Sequence, residues 1–382
     1  MRENLTMSIK RAIIACTPPV VLSLAYKVRS ILHVISTSKD YATKSYYPEA
    51  EKKSHLKIFW ELIVTSWKWG NVTGSYFSFG LDRRDRKLRD YVFLKEFGKV
   101  KDALNSYYYD YTTVLNNKIL TNTIFRSWNL PVPASLGIID NRDGLLYLVA
   151  SDHVCLLKDY INANDINCFC KPLTGVGGHG IFYIKVKNGH IVVDSTEISL
   201  EDLGNSITTP MMLEEAIYQH EALSALHPQS VNTIRIITIM VEKNAVQVLA
   251  AFQRIGCGGA RVDNTHSGGI KVHISQDGLL TGNGYRLSGF GSTMSKHPDT
   301  QIVFDKYRIP FFQESLELVK RAHSFIGGIH SVGWDIAITP KGPIIIEANG
   351  DWYVEGPQVF YGMRKEFETL FVKRYKELNV RV

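Results

Sequence analysis

The sequence predicts an α+β protein with mainly antiparallel sheets, and three observations carry that expectation. Two apolar hairpins are visible, one over residues 234–254 across Glu242-Lys243-Asn244, the other over residues 333–352 across Thr339-Pro340-Lys341-Gly342-Pro343. A glycine-rich loop, residues 171–180, is flanked by strands on both sides instead of a strand and a helix. Apolar residues at helical spacing recur around these strands. Tight hairpin connections force antiparallel neighbours, which sets the class.

Taken in order, residues 1–115 read as mostly helical and aromatic-rich. Residues 12–25 are apolar, follow Lys10-Arg11 and end in Ser23-Leu24-Ala25, a pattern that resembles a signal peptide. The run is too short to span a bilayer, and Pro18-Pro19 should break a helix there. An uncleaved helical or membrane-surface segment is the expectation. In residues 55–69 the apolar positions Leu56, Phe59, Trp60, Ile63, Val64 and Trp67 fall at helical spacing, and that stripe reads most simply as core. Residues 91–111 continue in the same style. From Asn116 the texture changes. A helix is expected over 116–128, a strand over 135–139, a helix over 152–161, and strands over 167–171 and 181–186 around the glycine loop. A strand over 211–217 and a helical turn or helix over 218–226 precede the first hairpin. A helix over 311–326, the second hairpin and a helix over 359–378 complete the chain. The expected organisation is a basic helical region at 1–115, a small subdomain with a glycine-rich lid at 116–210, and a large subdomain at 211–382.

Composition bounds the function. The 382 residues are 45% hydrophobic and 21% charged, an ordinary globular balance. Lys and Arg number 44 against 37 Asp and Glu. That mild excess suits an anionic small molecule, polymer or membrane surface and argues little for nucleic acid. Residues 1–53 hold nine Lys/Arg against four Asp/Glu, either a solvated face or a contact for anionic lipid or polymer. The five cysteines are scattered and form no CxxC pair. Cys168 and Cys170 share one face of a strand and read as buried thiols in a reduced, cytosolic protein.

The second hairpin poses a chemical problem. If it folds symmetrically about Lys341, Asp335 lies opposite Glu347, and Asn349 shares the face two residues on. Two unit charges 4 Å apart repel by about 4 kcal/mol at an effective dielectric of 20. A divalent cation turns that repulsion into attraction, and two carboxylates with an amide oxygen are ligands that magnesium accepts. Unrelated acids on an exposed strand face are the bland alternative. In the glycine loop, Gly175, Gly177, Gly178 and Gly180 are four glycines in six positions. Glycine exposes N–H groups that can cradle phosphate, although an ordinary glycine hairpin has the same composition. No GxxxxGK[ST] sequence is present, and the strand–loop–strand setting argues against a dinucleotide fold.

The order of these features resembles the ATP-grasp superfamily. More narrowly, it is similar to the sugar-transfer-associated ATP-grasp family of polysaccharide biosynthesis. The narrower likeness rests on Gln219-His220-Glu221, on Ser230-Val231-Asn232-Thr233-Ile234-Arg235-Ile236, on Val262-Asp263-Asn264 with Gly268-Gly269-Ile270, and on Gly333-Trp334-Asp335 with Glu347-Ala348-Asn349. It covers roughly residues 60–380. The family often has Gly where Ala348 stands, a position that should point away from the ligand face.

The resemblance implies an ATP-grasp fold of two α+β subdomains that grip ATP, preceded here by a helical region. It implies that Lys118 and Lys171 contact nucleotide phosphates, with Thr174 and the lid glycines closing over them. Residues 213–217, including Glu214, Glu215, Ala216 and Ile217, would meet adenine. Glu214, Glu215 or Glu221 would reach the adenine amine or the ribose hydroxyls, a choice the sequence leaves open. Arg235 and Arg254 would sit near the transferred phosphate and the acyl oxygen. Asp335, Glu347 and Asn349 would hold one or two Mg²⁺ ions, with Mn²⁺ able to substitute. Asn264, Gly268, Gly269 and Lys271 fall in the substrate region, with Arg261 and Arg286 as further cations for an anionic acceptor. His179, in the lid, is as readily structural as a phosphate contact.

The implied reaction is an ADP-forming carboxylate–amine ligation through an acyl phosphate, joining a small-molecule or saccharide carboxylate to an amine in capsule or surface-polysaccharide synthesis. A hydroxyl kinase on the same scaffold and a non-catalytic nucleotide or polyanion sensor at a membrane are the alternatives. The expected location is the cytoplasm, with docking at the inner membrane face or on a lipid-linked saccharide through the basic N-terminus. No nucleic-acid partner is expected.

Overall fold

In the computed structural model, residues 18–42, 45–106, 109–175, 180–242, 245–287, 293–326 and 328–379 are described. The two hairpins and the strands around the glycine loop build two separate sheets in which every pairing is antiparallel. The first sheet contains β1 (Ser135–Arg142), β2 (Leu145–Val149), β3 (Val154–Leu156), β4 (Ile166–Pro172), β5 (Phe182–Lys187), β6 (His190–Val193), β7 (Thr196–Ile198) and β8 (Met211–Glu215). Its order is β3-β2-β1-β8-β4-β5-β6-β7. The second contains β9 (Ile234–Glu242), β10 (Ala245–Ile255), β11 (Ile270–Ile274), β12 (Leu280–Arg286), β13 (Thr293–Met294), β14 (Ser331–Thr339) and β15 (Gly342–Asn349) in the order β13-β12-β11-β10-β9-β14-β15.

Several expectations change. Residues 152–161 were expected as one helix, but Val154–Leu156 pairs with β2 as an edge strand, and the helix runs over Leu157–Ala163. The strand at 211 was assigned to the following subdomain. Its backbone lies between β1 and β4, in the middle of the first sheet, because Met212 and Leu213 are fully buried and need neighbours on both sides. The helix Leu200–Ser206 and strands β6 and β7 were not anticipated. The helix start was nonetheless legible, since Ser199 and Asp202 form a reciprocal capping box.

The chain divides into two compact units. One takes its described residues from Met1–Val100 and Tyr353–Val382, the other from Lys101–Ser288 and Thr293–Trp352. In the first unit the N-terminal helices close on the end of the chain. Phe97 packs edge-on against Phe371 with ring centroids 5.2 Å apart, and Arg364 grips both oxygens of Glu96 at 2.7 and 2.8 Å. The helix expected over 359–378 is interrupted. The Val359 carbonyl accepts from Tyr47 and Arg86 and the Phe360 carbonyl from Arg86, so a continuous helix forms only from Arg364, with a π-helical turn at Phe367–Val372. Near the N-terminus the helix is Pro19–Thr37, which begins within the apolar run read from sequence and continues past its end, and Pro19 opens it instead of breaking it. Proline suits a first helical position, where its missing N–H is unused. The stripe on His55–Trp69 is not core: Leu56, Trp60, Val64 and Trp67 are exposed, while Ile58 and Leu62 point inward.

In the second unit each sheet carries its own apolar core. Cys168 and Cys170 are buried beneath the first sheet, where desolvation pushes both thiols up to about 12. Beneath the second, fully buried Trp334 donates to Thr238 Oγ1 at 2.7 Å, and that hydroxyl meets His323 Nδ1 at 2.7 Å. His323 Nε2 reaches the Ile329 carbonyl at 2.8 Å. Every polar atom in this chain of bonds has a partner, which is what makes it tolerable in an apolar interior.

Burial holds His323 neutral and pushes it down to about 4 from its ordinary 6.5. The unfolded chain therefore binds the proton first. Stability should be full above about pH 6.5 and fall towards pH 4, by about 2–3 kcal/mol from this group. Urea midpoints across that pH range should show the loss, and His323→Gln, which does not titrate, should remove this part of the slope.

Candidate active site

One face of the second sheet collects charge from five neighbouring strands. Lys271 on β11 pairs with Arg254 on β10, Arg235 on β9 pairs with Asp335 on β14, and Asp335 pairs with Glu347 on β15. Paired residues share a face, so these side chains converge. Arg235 holds both Asp335 oxygens, at 2.6 and 3.0 Å, and Arg254 reaches the same carboxylate at 2.9 Å. Burial alone would raise Asp335, but the two guanidinium groups win and hold it below the usual carboxylate range. Arg254 also grips Asp263 at 2.5 Å. Asp263 in turn accepts from the Thr233 backbone at 2.8 Å and from its hydroxyl at 2.5 Å. Two arginines and two aspartates thus neutralise one another in a largely dry setting.

The opposition of Asp335 and Glu347 arises by an unexpected route. The turn holds two residues, Pro340-Lys341, with Thr339 opposite Gly342, and a bulge between Asp335 and Ile336 shifts the ladder by one. The shift restores the pairing that symmetry about Lys341 would give. Gly333, two pairs further on, is required by packing. A Cβ there would lie 2.8 Å from Trp352 Cβ and 3.2 Å from Arg235 Nη1.

The first sheet contributes a second charged pair. Lys171, on β4, and Glu214, on β8, are both buried and bonded to each other. Glu214 is therefore committed to Lys171, which narrows the earlier choice among three glutamates. Lys118, at the start of the helix Lys118–Ser127, joins the loop to the second sheet. Its ammonium donates to the Gly175 carbonyl at 2.9 Å and lies 3.8 Å from Glu347. The helix is set there by Asn117, whose side chain caps the Leu120 N–H at 3.2 Å. Lys118, Asn122, Glu214, Ile345 and Glu347 line one cavity. A more open groove is lined by Ala134, Glu215, Ala216, Ile217, Tyr218 and Ile344.

Other expected residues fall differently. Thr174, Gly175 and Gly180 are exposed at the two ends of the glycine loop, while Gly177, Gly178 and His179 lie outside the described residues. Glu221 is exposed in the first turn of its short helix and lines neither cavity, and His220 caps that helix through the Ala222 N–H at 3.1 Å. The Asn264 carbonyl accepts from Ser267 and Gly269, and a Cβ on Gly269 would meet the Asp263 carbonyl at 2.2 Å, so Gly269 permits the tight return into β11. Gly268 adopts φ +89° beside Arg286. Of the further cations, Lys271 and Arg286 occupy neighbouring positions of the β11–β12 ladder. Arg261 is held by Asp194 and Ser195 at 2.7 and 2.9 Å, and Arg286 stands opposite Ile270 while Lys271 stands opposite Tyr285. Asp263 is the functional residue of this cluster to which the sequence pattern gives no role. Two arginines and one aspartate on one sheet face were the available signal that another acid is required.

The donor set has the chemistry a hard cation takes, although both Asp335 oxygens are held by Arg235 and a cation would share them with that guanidinium. Asp335, Glu347 and Asn349 offer two carboxylates and an amide oxygen, the hard donors that magnesium takes. A different cluster among the described residues, Cys257, His297 and Asp299, has potential ligand atoms within 4.8 Å of one another. His297 is already engaged there through both nitrogens, Nε2 at 2.8 Å from the Gly256 carbonyl and Nδ1 accepting from Asp299 and Thr300 N–H groups at 3.3 Å, so the cluster braces loops.

Two antiparallel sheets, a glycine loop between strands, and lysines set against a carboxylate hairpin define an ATP-grasp protein. The chain belongs to the sugar-transfer associated ATP-grasp family, whose model matches residues 100–368. No curated protein matches the sequence. Among solved structures, N5-carboxyaminoimidazole ribonucleotide synthetase from Thermotoga maritima is similar at 12% identity and a TM-score of 0.36, over 65% of this chain and 48% of its own. D-alanine–D-alanine ligase from Bacillus anthracis gives 9% identity and a TM-score of 0.38, over 70% of this chain and 68% of its own. The L-amino acid ligase from Bacillus licheniformis gives 13% and 0.34, over 63% of this chain and 42% of its own. The chain thus spans about half the length of the first of these.

The ion cluster makes a stability prediction. Arg254→Met leaves Asp263 and Asp335 short of a buried partner and should cost about 3–5 kcal/mol in urea unfolding. Adding Asp263→Asn should recover part of that loss, giving a coupling energy above about 0.5 kcal/mol in the double-mutant cycle.

Proposed function

We propose that the protein is an ATP-dependent carboxylate–amine ligase that acts through an acyl phosphate on a sugar acid, or joins an amino acid to a sugar, in surface-polysaccharide synthesis. The observation that carries this reading is the position of Lys118, bonded to the glycine loop at Gly175 and 3.8 Å from Glu347 of the carboxylate hairpin. A triphosphate meeting Lys118 and Lys171 lies beside Asp335, Glu347 and Asn349, the residues that would hold Mg²⁺. When bound, that ion neutralises charge on the phosphate oxygens. The groove beside Glu215, Ala216 and Ile217 offers backbone groups and apolar walls to an adenine ring.

The chemistry assigned to the chain is positioning and charge stabilisation, which dominate phosphoryl transfer. A substrate carboxylate oxygen attacks the γ-phosphorus, the bond to the β–γ bridging oxygen breaks, and ADP leaves. The amine then attacks the acyl carbon. Arg254, with Arg235 beside it, stabilises the tetrahedral oxyanion. Inorganic phosphate departs and the nitrogen loses a proton. The glycine loop excludes water, which would otherwise hydrolyse the acyl phosphate. Arg235 and Arg254 are preorganised for this by their bonds to Asp335 and Asp263.

ADP release screened over uronic acids crossed with amino acids should identify a carboxylate-dependent turnover. Hydroxylamine should trap the activated acid as a hydroxamate. Glu347→Gln should lower kcat by about 100-fold or more. Turnover that requires a substrate hydroxyl, or ATP binding without any ADP release across the screen, would overturn the ligase reading. Unchanged kcat in Glu347→Gln would remove the metal assignment.

A further inference from the structure

The first unit carries a surface that the nucleotide chemistry does not use. The helices Pro19–Thr37 and His55–Trp69 pack against each other, and more than half of the large apolar side chains exposed in the described chain lie on this pair. Val20, Leu24 and Val28 repeat every four residues along the first helix, and Leu56, Trp60 and Val64 do so along the second. Val20 is 80% exposed and Trp60 56%. The opposite faces are occupied: Ser30 and Val34 of the first helix and Ile58 and Leu62 of the second are buried. Each helix thus keeps one side against protein and carries a further apolar stripe that is exposed among the described residues.

Charge selects the occupant. Arg29, Lys57 and Lys68 are exposed on these helices, and the Lys27 ammonium lies 5.2 Å from the Trp67 ring. The only acid on either helix, Glu61, is turned onto Lys53 at 2.8 Å and the Tyr76 hydroxyl at 2.5 Å. A second copy of the chain would bring this patch against itself across a two-fold axis and set like charges together. An anionic bilayer surface offers hydrocarbon to the apolar stripes and phosphates to the lysines and arginine. The first helix is long and apolar enough to cross a membrane by length and composition. Spanning would pull Ser30 and Val34 off their protein contacts and draw Lys27, Arg29 and His33 into the hydrocarbon, which is costly.

We propose that this helix pair docks the protein in the plane of an anionic lipid surface, with the tryptophans at the headgroup level and the basic side chains on lipid phosphates. The surface lies on elements that contribute none of the ATP-site residues, so its test does not depend on the ligase reading.

Flotation of the full-length protein with phosphatidylcholine vesicles, with and without phosphatidylglycerol, tests it. The protein should float with the anionic vesicles, and its tryptophan emission should shift to the blue. Lys57→Glu/Lys68→Glu should weaken partitioning by about tenfold or more, a loss that high salt reproduces in the unaltered protein. Leu24→Glu/Trp60→Glu places charge at exposed positions, so the fold and ATP binding should persist while flotation is lost. No flotation of the unaltered protein would overturn the proposal. So would a dimer that Leu24→Glu/Trp60→Glu converts to monomer without any vesicle binding. Membrane association that survives alkaline carbonate would overturn it in favour of a spanning helix.

Discussion

The buried exchange of charge among Arg235, Arg254, Asp335 and Asp263 is the constraint around which the second unit is built. Removing one member of such a set leaves an uncompensated charge in a medium that solvates it poorly. The four side chains come from β9, β10, β14 and the loop before β11, so their pairing also fixes the register of those strands. Thr233 binds the same aspartate through backbone and hydroxyl, which ties the start of β9 to that loop. Gly333 belongs to this constraint as well, because the guanidinium of Arg235 occupies the space a side chain would need.

The pairs nearest the glycine loop obey the same accounting. Lys171 is matched by Glu214, and Lys118 by Glu347 and a loop carbonyl. A polyanion reaching these lysines would have to displace their carboxylate partners, and a divalent cation held at Glu347 would take over the charge that Lys118 now balances. A divalent cation would offset part of the polyanion's charge, whereas a bare polyanion that drew Lys118 away would leave Glu347 uncompensated while Asp335 keeps its two arginines. This favours joint binding of nucleotide and metal.

Much of this site was legible because it lies on strands with strong alternation. Asp335, Glu347 and Asn349 could be put on one face from the period of two, and Lys171 from its place at the mouth of the loop. What could not be read was contact between distant segments. The bulge beside Asp335 has no sequence marker, and the pairing survived only because the bulge cancels an error in the turn. Asp263 looked like part of a motif whose weight fell on its neighbour Asn264. The short strands β3, β6 and β7 are only three or four residues long, too short for an alternation to show, and take their structure from neighbours. In the helical region, periodicity located the helix His55–Trp69 to the residue but not which side faces protein, since both sides are apolar.

That ambiguity bears on how the chain's charge is read. A net charge of +7 suggested a generally anionic ligand. In the second unit, however, the site cations are matched by carboxylates almost one for one, so the nucleotide site contributes little to the excess. Residues 1–53, with nine basic against four acidic side chains, account for most of it. Among the described residues, Arg29, Lys57 and Lys68 stand exposed on the two helices whose apolar stripes are also exposed. Net charge is therefore a poor guide to the catalytic ligand and a better one to the surface the first unit meets. Unpaired surface charge acts over about a Debye length, roughly 8 Å at physiological salt, and draws in an extended anionic surface. Paired buried charge acts only on what reaches the site.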